Sequence, residues 1–268
     1  MIELRGLNQE QISRMIPQTP ILVGYRGSVA HGMYVPNSEP NSIDDKDLMS
    51  VCIPDLSYYF GFENCGFGDR GVKEFAYMEW DSVAYEIKKF VALLAKSNPN
   101  VLSLLWLEPQ YYVHISPEGR ALIDARDLFV TKKIYHAFTG YAYGQLHRMT
   151  HQAFEGYMGT KRKALVEKHG YDTKNAAHCI RLLRVGIEYL NEGILYVDRS
   201  QKDGPELLSI KRGEWTLERV KEEAGRLFSR AEEVYDRSTL PSETDHRAVN
   251  DLLMQILKPH FFCEWVAR

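Results

Sequence analysis

The stretch ILVGYRGSVAHGMYVPNSEPNSIDDKDLMSVCI, residues 21–53, decides the fold. It begins and ends with apolar, β-branched runs that predict two buried strands, Ile21–Val23 and Leu48–Ile53. Between these strands lie a glycine–serine turn, Gly27-Ser28, and a carboxylate pair, Asp45 and Asp47. We interpret the rest of the chain as the scaffold that holds the turn and the carboxylate pair in position.

The carboxylate pair has the spacing of one strand face. Alternate residues of an extended backbone point to the same side, so Asp45 and Asp47 aim both carboxylates at one point while Asp44 and Lys46 face away. Magnesium prefers hard oxygen ligands and usually takes one or two protein carboxylates together with substrate phosphates. The pair therefore predicts a site for Mg²⁺, with Mn²⁺ as a substitute.

The glycine–serine turn predicts a phosphate site beside that metal. Gly27 lets the backbone come close to an anion, the N–H groups of a turn leading into a helix bind phosphate, and the Ser28 hydroxyl adds a donor. A phosphate site next to magnesium-binding carboxylates is the arrangement of a nucleoside triphosphate site. It predicts metal-assisted phosphoryl or nucleotidyl transfer.

Several ordered segments resemble the DNA polymerase β-type nucleotidyltransferase superfamily and, within it, the branch associated with RNA repair and RNA ligases. They are Gly27–Gly32 with Asp45-x-Asp47, Lys89-Phe90 with Asn98-Pro99-Asn100, Gly140–Gln145, and Gly170–Arg181. The resemblance runs from about Val23 to Pro241, and four segments in order are more specific than either short motif alone. The chain departs from the superfamily in a longer gap between Ser28 and Asp45, and in Lys46, where the family residue is usually apolar.

The resemblance implies a third carboxylate from a neighbouring strand, which accepts the proton of an attacking hydroxyl. Counting by twos predicts a strand over 72–81 with Glu79 and Asp81 on one face, followed by a helix over 82–96. Asp81, at the carboxyl end of that strand, is the choice for the third catalytic acid and metal ligand, with Glu79 in reserve. The alternative is that Asp81 caps the helix that follows.

A second candidate cluster lies in the C-terminal half. A helix capped by Asp172 or Thr173 would carry three basic side chains on one face, Lys174, His178 and Arg181. Such a face repels itself unless an anion neutralises it, which predicts contact with the phosphates of a nucleotide or of RNA. The alternative is that His178 packs in the core and the two cations pair with acids such as Asp172 or Glu188. The resemblance favours nucleotide binding.

The composition sets further limits. The chain has 268 residues, 44% hydrophobic and 26% charged, as in ordinary globular proteins, and its net charge of −3 excludes a globally basic nucleic-acid binder. The N-terminus has no secretory pattern and no apolar run is long enough to span a membrane, so no membrane partner is expected. A reducing cytoplasm is expected because four cysteines lack any Cys-x-x-Cys spacing: Cys52, Cys65, Cys179 and Cys263.

Together these features predict a two-lobed α/β (α+β) enzyme. Residues 1–125 would form the nucleotidyltransferase catalytic domain, a polymerase β-like mixed sheet with flanking helices. Residues 126–268 would form a helical substrate-binding domain that closes over it.

The predicted reaction is attack by a hydroxyl on the α-phosphate of a nucleoside triphosphate, with release of pyrophosphate. The resemblance alone implies an RNA 3′ end, such as that of a tRNA, as the acceptor, and a functional association with an RNA ligase. Two alternatives stay open: transfer to a small-molecule or protein hydroxyl, and a catalytically inert nucleotide- or RNA-binding module on the same fold.

Overall fold

A computed structural model describes residues 4, 8–17, 19–36, 44–62, 66–68, 70–151 and 160–266. Over these residues the chain forms five strands, β1 to β5: Pro20–Arg26, Lys46–Cys52, Val72–Tyr77, Trp80–Glu86 and Tyr112–Ile115. The helices, α1 to α12, are Gln9–Met15, Gly27–Ala30, Leu56–Phe60, Ile87–Leu94, Pro99–Leu102, Pro117–Asp124, Ile134–His151, Thr160–His169, Thr173–Glu192, Gly204–Lys211, Leu217–Arg237 and His246–Val266. Short 3₁₀ turns follow α5 and α6 and precede β5.

The strands form one mixed sheet in the order β3-β4-β2-β1-β5. Strand β2 lies at its centre, antiparallel to β1 and parallel to β4. Helix α2 and the following loop connect β1 to β2, so the glycine–serine turn and the carboxylate pair lie at the same end of the sheet. The predicted strand, turn and strand of residues 21–53 are confirmed.

The two faces of the sheet pack against different helices. On one face Leu22, Met49 and Val51 join the main hydrophobic core, which includes α9 and α11. On the other face Val23 and Leu48 pack with α1 in a smaller cluster. Since strand residues alternate, Asp47 points to the same side as Met49, toward the C-terminal helices.

The strand predicted over 72–81 and the helix predicted over 82–96 are wrong in their boundaries. The chain forms an antiparallel hairpin, β3 and β4, and helix α4 begins only at Ile87. Strand β4 is buried on both faces and shows no alternation, and the spacing from Val83 to Ile87 imitates a helix. The turn between the strands is made by Met78 at φ +55°, a residue with no turn signature.

The C-terminal half is helical, and α9 is its centre. It packs against α7, α10 and α11 and buries most of its length. The Asp172 carboxylate accepts a hydrogen bond from the Asn175 N–H at 3.0 Å, which caps the helix as predicted. Gly193 ends the helix in the left-handed conformation, at φ +69°.

The predicted mixed sheet with flanking helices and a helical C-terminal region is confirmed, while the domain boundary at residue 125 stays a prediction. No helix in the described residues has both the length and the apolarity that crossing a membrane requires. Cys52 and Cys179 are buried free thiols, and Cys65 lies outside the described residues.

Candidate active site

A cavity of about 360 Å³ lies between the end of the sheet and helix α9. The glycine–serine turn and Asp47 line one side of it. The opposite side carries the three basic residues of α9: Lys174, His178 and Arg181. The structure thus brings Gly27, Ser28 and Asp47 to the same cavity as the basic face of α9, whereas Asp45 and Asp81 are not among the residues that line it.

Gly27 adopts the left-handed conformation, φ +63°, directly against the carboxylate of Asp47. A Cβ atom at this position would lie 2.3 Å from Asp47 Oδ2, so a glycine is required for both the backbone conformation and the space. The turn is closed by the His31 N–H, which donates to the Gly27 carbonyl at 3.1 Å, and the Met33 N–H, which donates to the Ser28 carbonyl at 2.8 Å.

Asp47 and Asp81 lie side by side. They are direct neighbours in the parallel register of β2 and β4, so their side chains leave the sheet on the same face. Burial raises the pKa of Asp47, the cations of Arg26 and Lys174 oppose this rise, and repulsion by Asp81 and Asp45 adds to it. Both other predicted acids are therefore close enough to interact with the Asp47 charge.

The donor set fits a divalent cation. The three acids supply only hard carboxylate oxygens, and their mutual repulsion is what a bound cation relieves. In the described part of the chain no three Asp, Glu, His or Cys side chains lie close enough to hold a metal as they stand. Asp45 is exposed, and the Arg26 guanidinium lies 3.5 Å from Asp47 Oδ1, in the position of a counter-ion.

The position expected for Asp81 is wrong in one respect. Asp81 is the second residue of β4 rather than the end of β3, and Glu86 is the residue that caps α4 through the N–H groups of Lys88 and Lys89. The capping alternative for Asp81 is therefore wrong. The reserve candidate, Glu79, is an ion-pair partner of Lys46 at 2.5 Å.

Lys46, the departure from the superfamily pattern, has a local explanation. It pairs with Trp80 across the parallel register and its ammonium lies 5.2 Å from the centre of the indole ring. With Glu79 on its other side, the Lys46 charge is compensated on the face of the sheet opposite Asp47. The side chains of β2 therefore still alternate between the two faces of the sheet, although a lysine stands where the family residue is usually apolar.

Arg181 is the most informative cation of the cavity. It is 9% exposed and, among the described residues, makes no hydrogen bond and no ion pair. Burial lowers its pKa to about 10. The expected alternative partner, Glu188, is held instead by Arg199. A guanidinium with five free donors in a cavity is an anion site.

Lys174 does pair with an acid, but with one that the sequence did not suggest. Its ammonium lies 3.4 Å from the carboxylate of Asp44, which is wholly buried rather than turned away from the site. The same carboxylate accepts hydrogen bonds from Lys211 and from the Val35 N–H. Asp44 and Lys211 are thus residues of the site that sequence reasoning missed, and no local pattern marks either.

Two histidines of the described residues also line the cavity. His178, at the surface of the cavity, packs edge-on against Tyr141 with ring centres 5.1 Å apart. His31 lines the cavity with its Nδ1 3.1 Å from the Val197 carbonyl. Burial, and then the charge of Arg181, hold the pKa of His31 well below 6.5. His31 is therefore neutral, with Nδ1 as the donor. The sequence analysis did not predict His31 as a site residue, although it lies within the Gly27–Gly32 segment that carries the family resemblance.

Comparisons with known proteins agree with this reading at the level of family. A search among curated proteins finds no significant match. The chain is weakly similar to the crystal structure of a nucleotidyltransferase-like protein from Exiguobacterium sibiricum 255-15, at 11% identity over 94% of this chain and 80% of that chain, with a TM-score of 0.28. The family model RlaP, described as RNA repair pathway DNA polymerase beta family, matches residues 7–255. The chain therefore belongs to the RNA repair pathway DNA polymerase beta family.

Proposed function

We propose that the protein transfers a nucleoside monophosphate from a nucleoside triphosphate to a hydroxyl acceptor, with release of pyrophosphate. One observation carries the proposal: across one cavity, a glycine–serine turn beside Asp47 faces a buried Arg181 that has no hydrogen-bond or ion-pair partner among the described residues. A ligand that fits this cavity carries negative charge on the side that faces α9 and binds a cation on the side that faces Asp47. A metal-bound triphosphate has this distribution of charge.

The acids have separate roles. Asp45, Asp47 and Asp81 would hold Mg²⁺, or Mn²⁺ in its place; when bound, the ion supplies Lewis-acid charge to the attacking and leaving oxygens. Asp81 would also accept the proton of the attacking hydroxyl, since it stands next to Asp47 on the adjoining strand. The bond from the acceptor oxygen to the α-phosphorus forms as the bond from that phosphorus to the pyrophosphate oxygen breaks.

The remaining predicted residues would hold the nucleotide. Gly27 and Ser28 bind the β- and γ-phosphates through backbone and hydroxyl donors. The basic face of α9 would contact the same phosphates through Lys174, His178 and Arg181. The division proposed at residue 125 places the acids in a catalytic domain, 1–125, and these basic residues in a helical substrate-binding domain, 126–268.

The proposed acceptor is an RNA 3′ end, such as that of a tRNA. Membership of an RNA repair pathway family supports this choice, and it supports a functional association with an RNA ligase. A cytoplasmic location is part of the same proposal.

The test is transfer from a labelled triphosphate. The protein is incubated with each α-labelled nucleoside triphosphate, Mg²⁺ and total RNA, and the label is located on the RNA ends. Replacing Asp45 and Asp47 together by asparagine should lower the rate by at least about 100-fold, because the metal ligands are lost. The control is Asp251→Asn, an exposed aspartate of α12. An unchanged rate in the double variant contradicts the proposal.

The same experiment separates the alternatives. An RNA acceptor predicts binding that weakens steeply with salt, because neutralised phosphates release counterions. Label found on a small molecule or a protein hydroxyl points to the other acceptors. Triphosphate binding that needs Mg²⁺ but releases no pyrophosphate with any acceptor points to an inert nucleotide-binding module.

A further inference from the structure

A further cation reaches the cavity from a distant part of the chain. Lys211 is the last residue of helix α10, and its ammonium donates hydrogen bonds to the Met33 carbonyl at 2.8 Å and to the Asp44 carboxylate. The Lys211 side chain is only 9% exposed and lines the cavity beside Gly27 and Ser28. It is therefore a buried ammonium at the edge of the proposed phosphate site.

Lys211 has one donor left. An ammonium carries three N–H groups, and the described residues account for two of them, through Met33 and Asp44. Leaving a charged donor unsatisfied in a buried position costs free energy, so a cavity-facing N–H of this kind favours an acceptor from a ligand.

The Asp44 carboxylate stabilises the Lys211 ammonium in its buried position. Burial lowers the pKa of Lys211, and the Asp44 carboxylate opposes that effect through both its charge and its hydrogen bond. Asp44 is itself held in place by the Val35 N–H at 2.8 Å. The carboxylate thus fixes the Lys211 ammonium relative to Met33 and Val35, which follow the glycine–serine turn.

The charge of the cavity agrees with a polyanionic ligand. In the described part of the chain four lysine and arginine side chains line it, namely Arg26, Lys174, Arg181 and Lys211. Among the described residues, Asp47 is the one carboxylate that lines it with them, and Asp44 contacts the two lysines. Counted against Asp47 and Asp44, these cations leave an excess of two positive charges, which favours an anionic ligand such as a phosphate group.

We propose that Lys211 is a further triphosphate-binding residue of this cavity and that Asp44 is the positioning residue that holds it there. The inference rests on the proposed function, since it names another residue of the same nucleotide site. Lys211 contacts phosphate rather than base or ribose because an ammonium is a compact charge suited to phosphate oxygens. Lys174 also contacts Asp44, with its ammonium 3.4 Å from the carboxylate.

The test is calorimetric binding of inorganic tripolyphosphate and of each nucleoside triphosphate, with Mg²⁺, to the full chain and to Lys211→Met. Losing one charge-assisted hydrogen bond should weaken binding of every triphosphate by roughly 10- to 100-fold. The matched control is Lys202→Met, a lysine that pairs with Glu188 at 3.4 Å and does not line the cavity. Wild-type affinity in Lys211→Met overturns the inference alone, whereas a wild-type chain that binds no triphosphate overturns the proposed function as well.

Asp44→Asn tests the positioning role. Asparagine can still accept the Val35 N–H and one Lys211 N–H, but it lacks the charge that holds the Lys211 ammonium in place, so we expect weaker triphosphate binding and a higher KM with a smaller change in kcat. The variant that combines Asp44→Asn with Lys211→Met should be no weaker than the worse single variant, because both changes remove one interaction. Additive losses, or wild-type binding in Asp44→Asn, contradict a positioning role.

If Lys211→Met does not fold, as judged by circular dichroism, the wild-type chain supplies the measurement. Pyridoxal 5′-phosphate, a phosphate-bearing aldehyde, followed by borohydride should label Lys211, and tripolyphosphate with Mg²⁺ should protect it. Labelling that is equal with and without tripolyphosphate overturns the inference.

Discussion

Replacing Gly27 by alanine separates the role of the glycine–serine turn in folding from its role at the site. At φ +63° a side chain costs about 1–2 kcal/mol, because a left-handed residue crowds its own carbonyl. The new Cβ would also stand 2.3 Å from Asp47 Oδ2. Since ordinary contacts begin near 3.4 Å, the carboxylate must move by about 1 Å, and a misplacement of that size costs roughly 100-fold in rate.

The matched control is Gly170→Ala. Gly170 has φ +79°, and a Cβ atom there would meet nothing within 4 Å, so this variant carries the backbone strain without a displaced carboxylate. Urea unfolding should show a similar loss of stability, about 1–2 kcal/mol, in both variants. The initial rate of nucleotidyl transfer, measured well below the unfolding transition, should fall by roughly 100-fold in Gly27→Ala only.

Two results would refute this reasoning. If Gly27→Ala loses stability but transfers at a nearly normal rate, Asp47 tolerates displacement and is not a metal-binding acid of the reaction. If both variants lose the same activity, the effect is one of backbone strain and says nothing about the carboxylate.

Three other perturbations follow from buried charges. Arg199→Met should cost about 3–5 kcal/mol in urea unfolding, because Arg199 is 1% exposed and its loss leaves Glu188 without its bidentate partner at 2.6 and 2.8 Å; an unchanged midpoint contradicts this. The pKa of His31 is held well below 6.5, so the unfolded chain takes up a proton that the folded chain does not, and stability falls as the pH drops below 6.5. His31→Asn should flatten that fall between pH 7.5 and 5, and an equal slope argues against a neutral buried His31. Arg181→Met should raise the melting temperature, since it removes an uncompensated buried charge, while triphosphate binding in calorimetry weakens at least about tenfold; tight binding in this variant refutes an anion site at Arg181.

The sequence predicted an element correctly wherever residues close together in the chain mark its start, its end or its buried face. The run from β1 to β2 was predicted correctly because β-branched residues, a glycine–serine turn and alternating carboxylates follow each other within 33 residues. The helix α9 was equally readable, since Asp172 caps it and Gly193 ends it. Asp81 was assigned to the wrong strand, because β4 is an interior strand and its burial on both faces hides the alternation on which the prediction depended.

Contacts between residues far apart in the chain could not be predicted in this way, because no local sequence pattern marks them. Lys211 reaches an acid 167 residues away, and nothing in the spacing of α10 distinguishes this lysine from those on exposed faces. Asp44 was expected to face away from the site because alternation was counted back from Asp47, but Asp44 lies before β2 begins, where the rule for strands does not apply.

The sequence by itself therefore determined the strands of residues 21–53, the acids at the sheet and the basic face of α9, because each depends on residues a few positions apart. Only the tertiary structure decided that these elements share one cavity, that Asp81 stands beside Asp47, that Arg181 has no partner in the described chain, and that Lys211 and Asp44 complete the site. The physical reason is that burial and charge pairing depend on which distant segments pack together, and chain folding alone brings α9 and α10 to the end of the sheet.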